Sequence, residues 1–219
     1  MKRRKILILT GVFACFFGCI GDFVMTFVSG LFYPGYSQLR DTMSSLGASD
    51  SPVSDIISWW WVVLGLLIIL FAWSFRRVFY PGKYVRTATW LLILYGLGEG
   101  FGSGLFKADI TEGVLTQSAW IHDALGGIGV AALVVLPLYM QQIIPRNVHR
   151  WFYMLSTSVF FIGLFFLLLF LARYTNIAIL AGYKGLWQRL FILDYYVYLM
   201  SIAILMIRRE GCRRDKKKG

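Results

Sequence analysis

Long apolar runs separated by short polar ones make up almost the whole chain. Runs near the roughly 20 residues that carry a helix across a bilayer recur six times, at about 6–28, 56–75, 87–106, 119–140, 151–172 and 187–207. Helices are the expected form, since in hydrocarbon every backbone N–H and C=O must find its partner within the segment. The pattern predicts an all-α membrane protein, a single six-transmembrane-helix bundle over residues 1–219. The longest stretch outside the spans, about 29–55, leaves no soluble domain.

Small residues indicate how these helices meet. Gly96, Gly100 and Gly104 recur every fourth residue along one side of the third helix, and Gly98 and Gly102 mark roughly the opposite side. Such stripes let neighbouring backbones approach closely inside membranes. The third helix is therefore expected at the centre of the bundle, touched on two sides, and its short polar link to the fourth makes the two an antiparallel hairpin. The second helix, opening on Trp59-Trp60-Trp61, and the fifth, rich in Phe and Leu, carry no buried charge and read as lipid-facing supports. Pro34-Gly35 and the stretch 47–52 are stop signals, leaving Ser37 to Leu46 as either a short amphipathic helix roofing the bundle or an ordinary solvated loop. Pro137 is a potential kink in the fourth helix.

Composition supports the membrane reading, with 58% hydrophobic and 15% charged residues. The net charge of +11 changes the picture only through its distribution. Seventeen of the 22 Lys and Arg residues lie before the first helix, in the second and fourth loops, and after the sixth helix; the other five are Arg40, Lys107, Arg173, Lys184 and Arg189. Basic residues mark cytoplasmic segments, so both termini are expected to be cytoplasmic, in the cell membrane. The charge is then a topology signal and an attraction to anionic lipid, and nucleic acid is excluded as a partner. Nine of the eleven acidic residues fall on the outer side, where any chemistry is expected. Cys15 and Cys19 are one turn apart in an apolar helix, opposite Cys212 in the tail, so they read as packing groups and not as a disulfide framework. The N-terminus loosely resembles a lipoprotein signal ending at Cys19, but its apolar run continues past that cysteine to spanning length.

Several landmarks resemble a family of integral membrane proteins known as domain of unknown function 998. They are Tyr33-Pro-Gly-Tyr, Leu39-Arg40-Asp41-Thr and Ser45-Leu-Gly in the first outer loop, Gly104-Leu-Phe-Lys-Ala-Asp109, Ile121-His122 followed by Gly126, and Gly185-Leu-Trp-Gln-Arg189. The family pattern has proline where Lys107 stands and often a second histidine shortly before the one matching His122. The resemblance implies the fold and the membrane location, and no activity.

Ionisable residues inside the membrane are costly and mark functional sites by default. Asp22 lies about 10 Å and Glu99 about 12 Å below the outer interface at 1.5 Å per residue. Asp194 sits at a similar depth, and His122 and Asp123 nearer the surface. The arrangement that keeps them from lipid is a water-accessible cup between helices one, three, four and six. Asp22, Arg40, Asp41, Glu99, Asp109, His122, Asp123, Arg189 and Asp194 are its candidate ligand-binding residues. Three readings stand. The cup binds or transports a small polar molecule or lipid headgroup; or Glu99 or Asp123 works with His122 as an acid/base pair of an enzyme on a lipid-derived substrate; or Arg40, Lys107 and Arg189 balance the acids in a structural ion-pair network. The lone outer histidine lacks the companions of a metal site, and no cofactor is implied. Membrane lipids are expected partners. Transport by 219 residues would call for a homodimer.

Overall fold

The computed structural model describes residues 2–172 and 178–215. Arg173 and Lys216 to Lys218, which enter the charge count, lie outside the described residues, as does the side chain of Cys212. The helices are α1 (Lys2–Leu31), α2 (Ser54–Phe79), α3 (Val85–Tyr95), a π-helical segment (Gly96–Gly102), α4 (Ser103–Leu105), α5 (Gln117–Ile143), α6 (Arg150–Leu171), α7 (Ala178–Gly182) and α8 (Lys184–Asp215). Five of them, α1, α2, α5, α6 and α8, are long and apolar enough to cross a membrane. Their starts follow local chemistry. Thr116 caps α5 by accepting from the Ala119 N–H (3.2 Å), and the His149 ring caps α6 by accepting from Phe152 N–H (3.3 Å). Pro137 lies inside α5 without ending it.

The stretch Val85–Leu105 is helical throughout but changes pitch at Gly96. Four of the seven π-helical residues are glycine, which favours the α-helix least of all residues except proline. What the glycines supply is close approach. A Cβ on Gly96 would stand 2.9 Å from the Gly65 carbonyl oxygen of α2, one on Gly104 2.6 Å from the Ser58 carbonyl, and one on Gly100 would collide with the Gly65 backbone itself. On the opposite side, a Cβ on Gly98 would stand 2.8 Å from the backbone nitrogen of Gly129 in α5. The segment is thus held between α2 and α5, on the two stripes that the glycine spacing marks.

The second helix is not a lipid-facing support. Ile57, Trp61, Leu64, Ile68, Phe71 and Phe75 of α2 are buried, and both α1 and the π-helical segment pack along it. Its apolar sequence concealed this, since a core helix and a lipid-exposed one look alike when hydrocarbon is the solvent. The fifth helix fits the expectation better: α6 exposes Phe161, Phe165 and Leu168 and buries a narrow edge against α8 and α5. There Gly163 receives the Tyr195 ring, and Ser156 shares a 2.7 Å hydrogen bond with Tyr198.

At the end expected outside, residues 37–42 form turns, followed by a 3-10 turn at Met43–Gly47, in place of one helix over 37–46. Met43 and Leu46 are buried, so the loop does roof the bundle. A second feature of this end is a hairpin, Ile110–Thr111 paired with Val114–Leu115. Its two turn residues, Glu112 (φ 52°) and Gly113 (φ 79°), have the left-handed conformations of a tight hairpin turn. At the other end Arg4 pairs with Glu210 (3.4 Å) and donates to the Arg77 carbonyl (3.1 Å), tying α1, α2 and α8 together.

Candidate functional site

The roof is built by a joint between the first loop and the start of α8. Arg189 donates to the carbonyls of Gln38 (2.6 Å), Asp41 (3.0 Å) and Gly185 (3.0 Å) and to the Tyr36 hydroxyl (2.5 Å). Gln188 accepts from Met43 N–H (2.7 Å), and Leu186 N–H donates to the Leu39 carbonyl (2.9 Å). Gly185 leaves room for this contact, because a Cβ there would run into the Asp41 carbonyl. Arg40 forks onto its neighbour Asp41 (3.1 and 3.2 Å), which also accepts from Ser37 N–H (2.8 Å). Burial pushes the Asp41 carboxyl upward, but these hydrogen bonds, with the charges of Arg40 and Lys184, outweigh it and hold the group below 3.8. Asp109 ties the hairpin to the roof, accepting from Ser49 N–H and hydroxyl, both at 2.7 Å. Arg40, Asp41, Asp109 and Arg189 therefore shape the roof.

Beneath it lies a cavity of about 210 Å³ between the roof, the π-helical segment, α5, α6 and α8. Its polar lining is Ser44, Glu99, Ser103, His122, Asp123 and Gln188; Val130, Leu167, Phe170 and Phe191 are among its apolar walls. A smaller space of about 30 Å³ adjoins it, shares Ser44, Glu99, Ser103 and Gln188, and reaches inward to Asp22, Tyr95 and Tyr196. On the volume that a water needs, the smaller space has room for about one or two molecules.

Each acid meets a different environment. Asp22, 2% exposed, accepts from Trp60 Nε1–H (3.0 Å) and from the Tyr196 hydroxyl (2.9 Å), which in turn accepts from Tyr95 (3.2 Å). Three helices thus meet at one carboxylate, and Tyr95 ties in a fourth through Tyr196. Glu99 is half-buried, with Gly126 and Gly129 of α5 against it: a Cβ on Gly126 would stand 3.3 Å from its Oε1. The π-helical geometry is where wide turns carry functional groups. His122 is 4% exposed, with Nδ1 2.8 Å from the Phe106 carbonyl. A carbonyl only accepts, so Nδ1 carries the proton and Nε2 is left as the ring's open acceptor. Asp123 is exposed at the rim. Asp194 lines neither space; its Oδ2 is buried on another face of α8 with no hydrogen-bond partner among the described residues.

The cations expected to balance these acids do not do so. Lys107 donates to the hydroxyls of Ser54 (2.6 Å) and Ser58 (2.8 Å) and lies 3.6 Å from exposed Asp55. With Arg40 on Asp41 and Arg189 on carbonyls, no ion pair reaches Asp22, Glu99, Asp123 or Asp194 among the described residues. That removes the structural ion-pair reading in its simple form. Nor do the described residues contain a group of three or more His, Cys, Asp or Glu side chains able to hold a metal.

The family model described as "Protein of unknown function (DUF998)" matches residues 8–205. The chain belongs to the DUF998 family. No curated protein and no solved structure matches it. In this DUF998 protein the motifs that carry the resemblance gather at one end. Leu39-Arg40-Asp41 and Gly185-Leu-Trp-Gln-Arg189 are the two halves of the roof joint, Gly104 to Asp109 supplies the Phe106 carbonyl and Lys107, and His122 and Gly126 border the cavity. The sequence reading passed over Tyr196, Trp60, Ser44 and Gln188. The spacing of Gln188, Ile192 and Tyr196, four apart on one face of α8, was the available signal for two of them.

Proposed function

We propose that this DUF998 protein is a six-span protein of the cell membrane, with both termini cytoplasmic, whose outward-facing pocket binds or transports a small polar molecule or a lipid headgroup. The sixth span is Val85–Leu105, about 30 Å long at the rise of a helix, which matches the hydrocarbon core. The observation that carries the reading is Glu99, which fronts both spaces, faces two glycines of α5 and has no cation partner among the described residues. A carboxylate held at that depth only to fix helix register would be paired.

The test uses a chain freed of its cysteines and given one at a time at Glu112, Asp123 or Val148. A membrane-impermeant maleimide applied to intact cells is expected to label positions 112 and 123 and to spare 148. Labelling of 148 from outside overturns the orientation, and absence of labelling at 123 overturns the outward opening.

One observation favours a second reading, an acid/base enzyme on a lipid-derived substrate. His122 and Glu99 line the same cavity, and the Phe106 carbonyl holds Nδ1–H, which leaves Nε2 as the ring's acceptor. Release of a product by the purified protein from bacterial lipids, lost in Glu99→Gln and His122→Asn, would select this reading over simple binding.

A further inference from the structure

The cavity has a sign. Glu99 and Asp123 line it, Asp22 lies behind Glu99, and among the described residues no Lys or Arg lines either space. Three described cations near the lining in sequence are engaged elsewhere: Arg189 by three carbonyls and a hydroxyl, Lys107 by Ser54 and Ser58, and Arg40 by Asp41. A second, independent feature points the same way. The His122 side chain, 4% exposed, lines the cavity with Nδ1–H committed to the Phe106 carbonyl, so its remaining ring nitrogen keeps a lone pair with no partner among the described residues. Gln188 has its amide oxygen occupied by Met43 N–H. The opposite wall is apolar and aromatic, with Phe170, Phe191 and Leu167. Anions are disfavoured in such a site, and a neutral alcohol would leave the carboxylates without a counter-charge. An ammonium group satisfies both halves at once: its charge meets the carboxylates, and its substituents rest on aromatic faces that attract cations.

We propose that the ligand of this pocket is an organic ammonium ion, either a small free amine or the ammonium of a lipid headgroup. The proposal deepens the pocket reading and rests on it. The volume of about 210 Å³ suits a headgroup-sized molecule and excludes a whole lipid. A lipid would enter headgroup first, its chains left in the outer leaflet beside exposed Phe165 and Leu168 of α6.

The experiment introduces Ser44→Cys into the cysteine-free chain, because Ser44 lines both spaces from the roof. In phosphatidylglycerol nanodiscs, its reaction rate with a trimethylammonium-ethyl methanethiosulfonate is compared with that of the sulfonate-ethyl analogue, each normalised to its rate at a cysteine placed at exposed Glu112 in the same nanodiscs, which cancels the attraction of the lipid surface. Focusing of potential in an acidic cleft predicts about a tenfold preference for the cationic reagent, falling toward unity in Glu99→Gln with Asp123→Asn. Choline should slow the labelling, and its uncharged isostere 3,3-dimethylbutanol should not. If choline protects only as a phosphatidylcholine headgroup in the nanodisc, the source is lipid; if free choline protects, it is a soluble amine. Equal rates for the two reagents, or equal protection by choline and dimethylbutanol, overturn the ammonium assignment while leaving a pocket. Failure of both reagents to react overturns the pocket reading and the assignment with it.

Discussion

Replacing Gly100 by alanine and Gly127 by alanine should change stability in opposite directions. The chemistry is identical, and only the surroundings differ. A Cβ at Gly100 meets the Gly65 backbone of α2, whereas a Cβ at Gly127 finds nothing within 4 Å. Backbone cannot rotate aside as a side chain tip can, so α2 and the π-helical segment must separate. Overpacking of this kind costs about 1–3 kcal/mol. At Gly127, replacing glycine in a helix interior gains up to about 1 kcal/mol. With roughly 2–4 °C of Tm per kcal/mol for a chain of this size, Gly100→Ala should lower the unfolding temperature by about 2–12 °C, and Gly127→Ala should raise it by up to about 4 °C. Thermal unfolding of the purified variants in one detergent, followed by intrinsic tryptophan fluorescence, measures both. An unchanged Tm for Gly100→Ala, or equal losses at the two positions, would refute the claim that the third segment is wedged against α2.

Three further outcomes follow from the site. Glu99→Gln and Arg189→Gln should be additive in a double-mutant cycle, within about 0.5 kcal/mol, since Arg189 holds carbonyls and not Glu99; recovery of stability in the double variant would revive the ion-pair network. Tyr196→Phe removes one of the two hydrogen bonds on buried Asp22 and should cost about 1–3 kcal/mol, read as lost thermal stability, with Tyr95→Phe milder because its hydroxyl does not touch the carboxylate. Asp41 is held below its ordinary value, so its contribution to the roof is complete above 3.8 and is lost only as pH falls through its lower folded value; hydrogen-exchange protection in residues 36–43, taken relative to the intrinsic rate at each pH, should therefore hold at pH 5 and fall only below 3.8, and protection already lost at pH 5 would contradict the Arg40–Asp41 clamp.

Periodicity was enough to find the long helices, because spanning length and backbone self-satisfaction leave few alternatives in hydrocarbon. The glycine stripes were legible for the same reason: Gly96, Gly100 and Gly104 do face α2, and Gly98 faces α5. The pitch change at Gly96 was not, since no residue type demands a π-helical turn. Partners of charged groups were the least legible. Arg189 satisfies its donors on loop carbonyls, which any sequence supplies, and Asp22 on the indole and phenol of Trp60 and Tyr196, which read locally as anchors or filler. Apolar content also misassigned α2, because burial against protein and exposure to lipid select the same side chains.

Glu99 and His122 should face a ligand and not structural counter-charges. Density maps of the protein in nanodiscs with choline present, at a resolution that separates side chains, test it most directly. A compact feature is expected between the Glu99 carboxylate, His122 and the Phe191 ring, absent from Gly127→Phe, whose side chain fills the cavity from α5 where a Cβ meets nothing within 4 Å. A map in which the cavity has closed, or in which Glu99 is paired with Arg189 or Lys107, would contradict it.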